Sequence, residues 1–213
     1  MPHRALFLGL TCLIGLPVHA DAAADKAAAA RMRSAIGGLA SLRADFEQSV
    51  TDAKGKVLER AEGTMSLSRP GRFRWDYRVP AQLIVSDGRT VWIHDVDLEQ
   101  VTIRPAAEAL QGTPAQLLLD QGDLATEFAI TDGGRADGLD WCRLVPRNAG
   151  SDFREIRLAL AHGELSRLQL LDRLGQTTEI RFSKVERNPR LDAGSFQFTP
   201  PPGVDIVGRG PSS

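Results

Sequence analysis

The 213-residue chain is short of the side chains that do covalent chemistry: it has two cysteines, four histidines and one tyrosine. Cys12, His3 and His19 fall within the first twenty residues, leaving Cys142, His94, His162 and Tyr77 for the rest. None of them stands in a nucleophile or base motif, and there is no G-x-S-x-G elbow, H-E-x-x-H pair or glycine-rich phosphate loop. These shortages disfavour a hydrolase or a nucleotide-driven enzyme. Long apolar runs are lacking too: Ala5 to Leu16 is about 12 residues, against the roughly 20 that a membrane-spanning helix needs. With Arg4 before it and Val18-His19-Ala20 behind it, that run reads as an export signal, residues 1–20, cleaved after Ala20. A lipid-anchoring signal is disfavoured, because Cys12 sits in mid-run with Gly9 at minus three, where such signals place a large aliphatic residue.

Residues 21–213 are expected to form a single domain. Loss of Arg4 leaves 25 Lys plus Arg against 27 Asp plus Glu, a net charge of −2, which offers no bulk attraction to nucleic acid or an anionic membrane. Cys142 is then the one remaining cysteine, so an intramolecular disulfide is excluded in an oxidising compartment, and its neighbours Trp141 and Leu144 suggest an inert buried thiol. The acidic stretch His94-Asp95-Val96-Asp97-Leu98-Glu99 would place Asp95, Asp97 and Glu99 on one strand face. It lacks the turn glycine of a cation loop, and a charged hairpin rim is the preferred reading.

From Ala44 onward, short alternating runs are separated by Gly, Asp, Asn or Pro, the rhythm of antiparallel strands. Eleven runs are expected: 44–50, 57–68, 73–79, 82–86, 90–95, 98–104, 124–131, 139–145, 153–160, 165–172 and 177–185. Helices are few. Ala23 to Leu42 has Met32, Ile36 and Leu39 at helical spacing, but Gly37-Gly38 is expected to interrupt it and make it easily displaced. Thr113-Pro114 announces a second helix through Leu117, Leu118 and Leu119. A short turn is expected at Leu191 to Gly194, and the tail after Pro202 is expected to fray. The architecture implied is one strongly curved antiparallel sheet with two or three helices against its concave face.

Counting by two from Gly63 puts Met65 and Leu67 on one face and Thr64, Ser66 and Ser68 on the other. Arg69 continues the apolar parity, where an unpartnered guanidinium would be costly. Beyond Pro70-Gly71, Phe73, Trp75 and Tyr77 face inward, while Arg72, Arg74 and Arg78 form a basic outer stripe. That stripe is read as a solvated face, with a docking surface for an acidic partner as its functional alternative. Periodicity leaves two readings of the inner face open. Either Arg69 bends out to water over an ordinary core, or the face lines a cavity and Arg69 holds carbonyls of a covering helix.

The ordered set Ser68-Arg69-Pro70-Gly71-Arg72-Phe73-Arg74-Trp75-Asp76-Tyr77, Val85-Ser86-Asp87-Gly88-Arg89-Thr90-Val91-Trp92, Leu98-Glu99-Gln100-Val101-Thr102, Gly112-Thr113-Pro114 and Phe196-Gln197-Phe198-Thr199-Pro200-Pro201 resembles the periplasmic lipoprotein carrier family LolA. Leu42-Arg43-Ala44-Asp45-Phe46-Glu47-Gln48 fits that family's first strand. The resemblance implies an incomplete, half-open antiparallel barrel of about eleven strands, with a helical lid over a hydrophobic cavity. It implies a monomeric, non-catalytic periplasmic chaperone without cofactor or metal, taking acylated lipoproteins from the inner-membrane transporter LolCDE to the outer-membrane receptor LolB. In that family's pattern Arg69 latches the lid through its carbonyls and Phe73 lies at the cavity mouth. The expected lining is Met65, Leu67, Phe73, Trp75, Tyr77, Leu117 and Leu118. Two departures stand out: Gly37-Gly38 in the first lid helix, and Pro105 where continuous apolar helix is expected. A lipid-sensing or regulatory module built on the same cup is the rival reading, which an appended second domain would favour. A LolB-type receptor would need a lipid anchor that the Cys12 context does not supply.

Overall fold

A computed structural model describes residues 19–110, 118–119, 124–148 and 150–211. The export signal expected at residues 1–20 therefore lies outside the described residues, apart from the backbone of His19 and Ala20. Helix α1, His19–Ile36, is followed by eleven antiparallel strands: β1 Ser41–Thr51, β2 Val57–Ser68, β3 Arg72–Val79, β4 Gln82–Asp87, β5 Thr90–Asp95, β6 Gln100–Pro105, β7 Phe128–Ala136, β8 Leu139–Pro146, β9 Phe153–Ala161, β10 Glu164–Asp172 and β11 Thr177–Arg187. Between β6 and β7 the described residues include two single-turn helices, α2 Ala106–Ala109 and α3 Leu124–Glu127, and the helical pair Leu118-Leu119. A 3₁₀ turn at Ala193–Phe196 leads to β12, Asp205–Gly208.

All twelve strands form one sheet in the order β12-β6-β5-β4-β3-β2-β1-β11-β10-β9-β8-β7, which remains open because β12 and β7 do not pair with each other. β1 lies at its centre, paired with β2 on one side and β11 on the other. The eleven sequence runs correspond to β1–β11, with two differences. Residues 124–127 of the seventh run form α3, and only from Phe128 does the chain extend. The tail expected to fray instead adds a twelfth strand, and that strand is parallel: Asp205 pairs Gln100 and Gly208 pairs Ile103 on β6. Asp205 N also donates to Glu99 O at 2.9 Å, which seats the strand at its start.

Alternation fixes which face is covered. On β2 the residues Gly63, Met65 and Leu67 are buried while Glu62 and Thr64 are exposed, so the odd positions point inward. The inner face of the sheet and one side of α1 share a core that includes Met32, Leu42, Phe46, Met65, Leu67 and Leu168. Ala28 and Met32 of α1 are fully buried. The outer face of β3–β6 has its own apolar cover: Phe196 is buried there with Val85 and Val101, and Phe198 lies 6.4 Å from Trp92. The expected turn falls two residues later than its sequence signal, at Ala193–Phe196, where Asp192 caps it by accepting from Gly194 N.

The Gly37-Gly38 pair does not interrupt the first helix; it ends it. Gly37 N donates to Arg33 O, Gly38 has φ +68°, and the chain turns into β1 at Ser41. A left-handed residue is the ordinary way to stop a helix, and glycine adopts it without a Cβ clash. Pro105 closes β6 and occupies the N-cap position of α2, where its missing N–H is no loss. Among the described residues no helix is long and apolar enough to cross a membrane.

Candidate functional site: an apolar cavity on the inner face of the sheet

The register of β3 with its neighbours assembles the site. Trp75 pairs Met65 on β2 and Ile84 on β4, and Ile84 pairs Ile93 on β5, so one row of inward side chains crosses four strands. Phe73, Trp75, Tyr77, Ile84, Val91 and Ile93 form one wall of a cavity of about 280 Å³. Leu170 and Ile180 form the opposite wall, and Ala109 and Leu110 close it from α2. Phe46 underlies the aromatic wall, 5.1 Å from the Trp75 ring and 5.0 Å edge-on from Tyr77, within the range of favourable aromatic pairing. Gly63 makes room for that ring: a Cβ there would stand 2.9 Å from Phe46 Cε1 and 2.0 Å from Asp76 O.

Polar groups at the cavity are few. The Tyr77 hydroxyl donates to Gln48 Oε1 at 3.3 Å, and burial, reinforced by the Glu59 charge, pushes its pKa up to about 12. Trp75 Nε1 is buried with no hydrogen-bond partner among the described residues. Thr178 and Arg104 also line the cavity. Among the described residues no group of His, Cys, Asp and Glu side chains could hold a metal ion. The acidic stretch does not converge: residues 96–99 form the β5–β6 turn, Asp95 Oδ1 accepts from Leu98 N, and the His94 ring packs 5.7 Å from Phe198.

Arg69 lies in the turn joining β2 to β3, four residues before Phe73 of the cavity wall. Its Nε donates to Leu118 O at 2.9 Å and its Nη1 to Ile36 O at 3.0 Å, so one guanidinium joins the end of α1 to the Leu118-Leu119 helical pair. The backbone under it is fixed. Arg69 N donates to Ala40 O, and the buried Ser86 hydroxyl bridges the Arg69 turn to the next hairpin, donating to Gly71 O and accepting from Gly88 N. Gly71 and Gly88 approach so closely that a Cβ on Gly71 would be 3.1 Å from Gly88 Cα.

Among the lining residues expected from sequence, Phe73, Trp75 and Tyr77 border the cavity. Met65 and Leu67 share their face but are 2% and 1% exposed, in the core rather than the cavity wall. Leu118 is buried and contributes its carbonyl to Arg69, while Leu117, Thr113 and Pro114 lie outside the described residues. The basic stripe is largely engaged on the outer face: Arg72 stacks 5.8 Å over Phe196, Arg74 pairs with Asp76 and Arg78 with Glu62. Cys142 is fully buried, its Sγ 3.5 Å from Ala28 O, and burial raises its thiol pKa. The wall residues missed from sequence, Ile84, Val91 and Ile93, alternate in the short runs 82–86 and 90–95, and pairing those runs with β3 would have found them.

Residues 37–199 match the family model described as "Outer membrane lipoprotein carrier protein LolA". A protein of Dechloromonas aromatica named outer-membrane lipoprotein carrier protein is 42% identical over 203 residues, covering 95% of this chain and 96% of its own. One of the same name from Methylobacillus flagellatus is 44% identical over 170 residues, covering 79% of this chain and 83% of its own. The fold is shared by an uncharacterised conserved protein of Thermus thermophilus, whose crystal structure superposes with a TM-score of 0.54 at 16% identity, covering 86% of this chain and 98% of that one.

Proposed function

The chain belongs to the outer membrane lipoprotein carrier protein LolA family, and from that premise we propose that it shields the acyl chains of lipoproteins in the apolar cavity on the inner face of the sheet while they cross the periplasm. The proposal includes export by residues 1–20, receipt of cargo from LolCDE, delivery to LolB, and one chain per cargo. The chain acts by binding and release, with no chemical step. The observation that carries the reading is the apolar cavity between an aromatic wall and Leu170, Ile180, Ala109 and Leu110, with Arg69, in the turn that precedes Phe73, joining α1 to Leu118.

Its energetics fit a carrier. Each methylene removed from water contributes about 0.8 kcal/mol, so a cargo with two or three long chains has tens of kcal/mol of gross transfer free energy. Such a cargo does not cross water unshielded, and a carrier that bound it as strongly as a bilayer would not release it. The cavity, about 280 Å³, is at the low end of pockets that hold even one small ligand. Loading several chains therefore requires the cover at α2 and Leu118 to move off the sheet, and closing it back over an emptied cavity favours release. Arg69 is the latch in this scheme: its two carbonyl bonds are made only when α1 and Leu118 are both in place.

The test is capture. The purified chain is incubated with inner-membrane vesicles containing LolCDE, ATP and a labelled acylated lipoprotein, and the soluble fraction is examined for a complex. A one-to-one soluble complex with the acylated cargo, absent for the same protein lacking its acylated cysteine, supports the carrier. Binding that leaves the lipoprotein in the vesicles, as a sensor would, contradicts it.

A further inference from the structure

The end of α1 is held by a second arginine, and we propose that Arg187 is a positioning residue that keeps α1 seated on the sheet independently of Arg69. This rests on the carrier reading for its purpose, though not for its geometry. A strict count by two from the buried Ile180 and Phe182 would point Arg187 outward. Lys184, with φ +50°, lies where the β1–β11 register shifts, and the extra residue turns Arg187 inward opposite Leu42.

There Arg187 Nη1 donates to Ala35 O and Nη2 to Gly37 O at 3.4 Å. Asn188 continues the grip, donating from Nδ2 to Gly38 O and accepting from Ala40 N and Ser41 N at Oδ1. The last carbonyls of a helix have no partner within it and carry its negative dipole end. Here four consecutive carbonyls at and just past the end of α1, from Ala35 to Gly38, accept from Arg187, Arg69, Arg187 and Asn188 in turn. The flank of the same helix is tied to β7: Arg31 pairs with Asp132 at 2.7 Å, and Asp132 N donates to Asp25 Oδ1 at 2.8 Å.

The two arginines therefore have different roles. Arg69 spans two elements, α1 and Leu118; Arg187 ties α1 to the central strands alone. Loss of Arg69 unties Leu118 from α1 but leaves α1 bound through Arg187, Asn188 and Asp132. The first helix is thus seated on the sheet, and the glycine pair after it is a fixed corner held by Asn188.

Amide hydrogen exchange on the full chain, without cargo, tests this in Arg69→Leu, Arg187→Leu, Arg187→Lys and the Arg69→Leu/Arg187→Leu double variant. We expect Arg187→Leu to speed exchange of α1 amides at least about tenfold while β8–β10 stay as in the wild type, since both charged-donor bonds, to Ala35 O and Gly37 O, are lost locally. Arg187→Lys should restore part of the protection. Arg69→Leu should leave α1 within about twofold of wild type, and the double variant should exceed either single one. Equal loss of α1 protection in Arg69→Leu, unchanged α1 exchange in Arg187→Leu, or loosening spread over β8–β10 would each overturn the assignment. Cargo takes no part in the readout, so a chain with this exchange pattern that fails to capture lipoprotein refutes the carrier reading alone.

Discussion

Replacing Arg69 by leucine removes a half-buried guanidinium that donates to Leu118 O at 2.9 Å and to Ile36 O at 3.0 Å. Bonds from a charged donor contribute about 1.5–3 kcal/mol each. Taking the lower figure for both, because the side chain is partly solvated, gives about 3 kcal/mol in favour of the closed arrangement, a shift of roughly 150-fold in its equilibrium with open ones. The turn that holds Arg69 is fixed by Ser86 and Ala40 through backbone groups, which the substitution leaves in place. The variant should therefore fold, with a far-ultraviolet spectrum like that of the wild type. Entry of a fluorescent apolar probe into the cavity, followed by stopped flow, should accelerate by about two orders of magnitude, and captured cargo should pass poorly to an acceptor. Arg69→Lys should be intermediate, because a point charge cannot serve both carbonyls in fork geometry. A folded Arg69→Leu variant with wild-type probe entry would refute the latch.

Three further outcomes are expected. Gly63→Ala puts a Cβ 2.0 Å from Asp76 O beside the Phe46 ring, so the urea midpoint should fall by an amount equivalent to about 1–3 kcal/mol, and an unchanged midpoint would show that the wall yields freely. Phe73→Glu places a carboxylate on the apolar wall, where a bound acyl chain would strip its water; co-purifying acylated cargo should drop sharply, and wild-type recovery would remove Phe73 from the site. The Tyr77 hydroxyl, at about 12 when folded and near 10 when unfolded, keeps a proton that the unfolded chain loses above pH 10. Its contribution is intact below that pH and is lost as pH rises toward 12, by about 2–3 kcal/mol. Tyr77→Phe should lose less stability than the wild type between pH 10 and 12, and parallel curves would contradict the burial of that hydroxyl.

Strand parity was legible wherever polar and apolar residues alternate cleanly, as in Gly63 to Leu67 and Phe73 to Tyr77, because a half-covered sheet repeats every two residues. Parity gives the side of a residue and not its depth. That is why Met65 and Leu67, expected in the cavity, lie in the packed core of the same face. It also fails at a bulge, which hid Arg187. The strand Asp205–Gly208 gave no alternating signal: four residues in a parallel edge pair leave too few positions to show a period. Gly37-Gly38 was visible but ambiguous, since the same glycines weaken a helix in its interior and stop it at its end. The outer cover made by Phe196 and Phe198 depends on a contact about a hundred residues back in the chain, with Val85, Trp92 and Val101, and no local pattern records such a pairing.

The central claim is that acyl chains lie against the inner face of the sheet, and a photoactivatable group near the end of a cargo acyl chain tests it most directly. After capture and irradiation, crosslinked peptides should come from the cavity walls, the segments around Phe73 to Tyr77, Ile84, Ile93 and Leu170. Crosslinks confined to the outer face, at Arg74, Arg143 or Arg157, would place the cargo elsewhere and contradict the account.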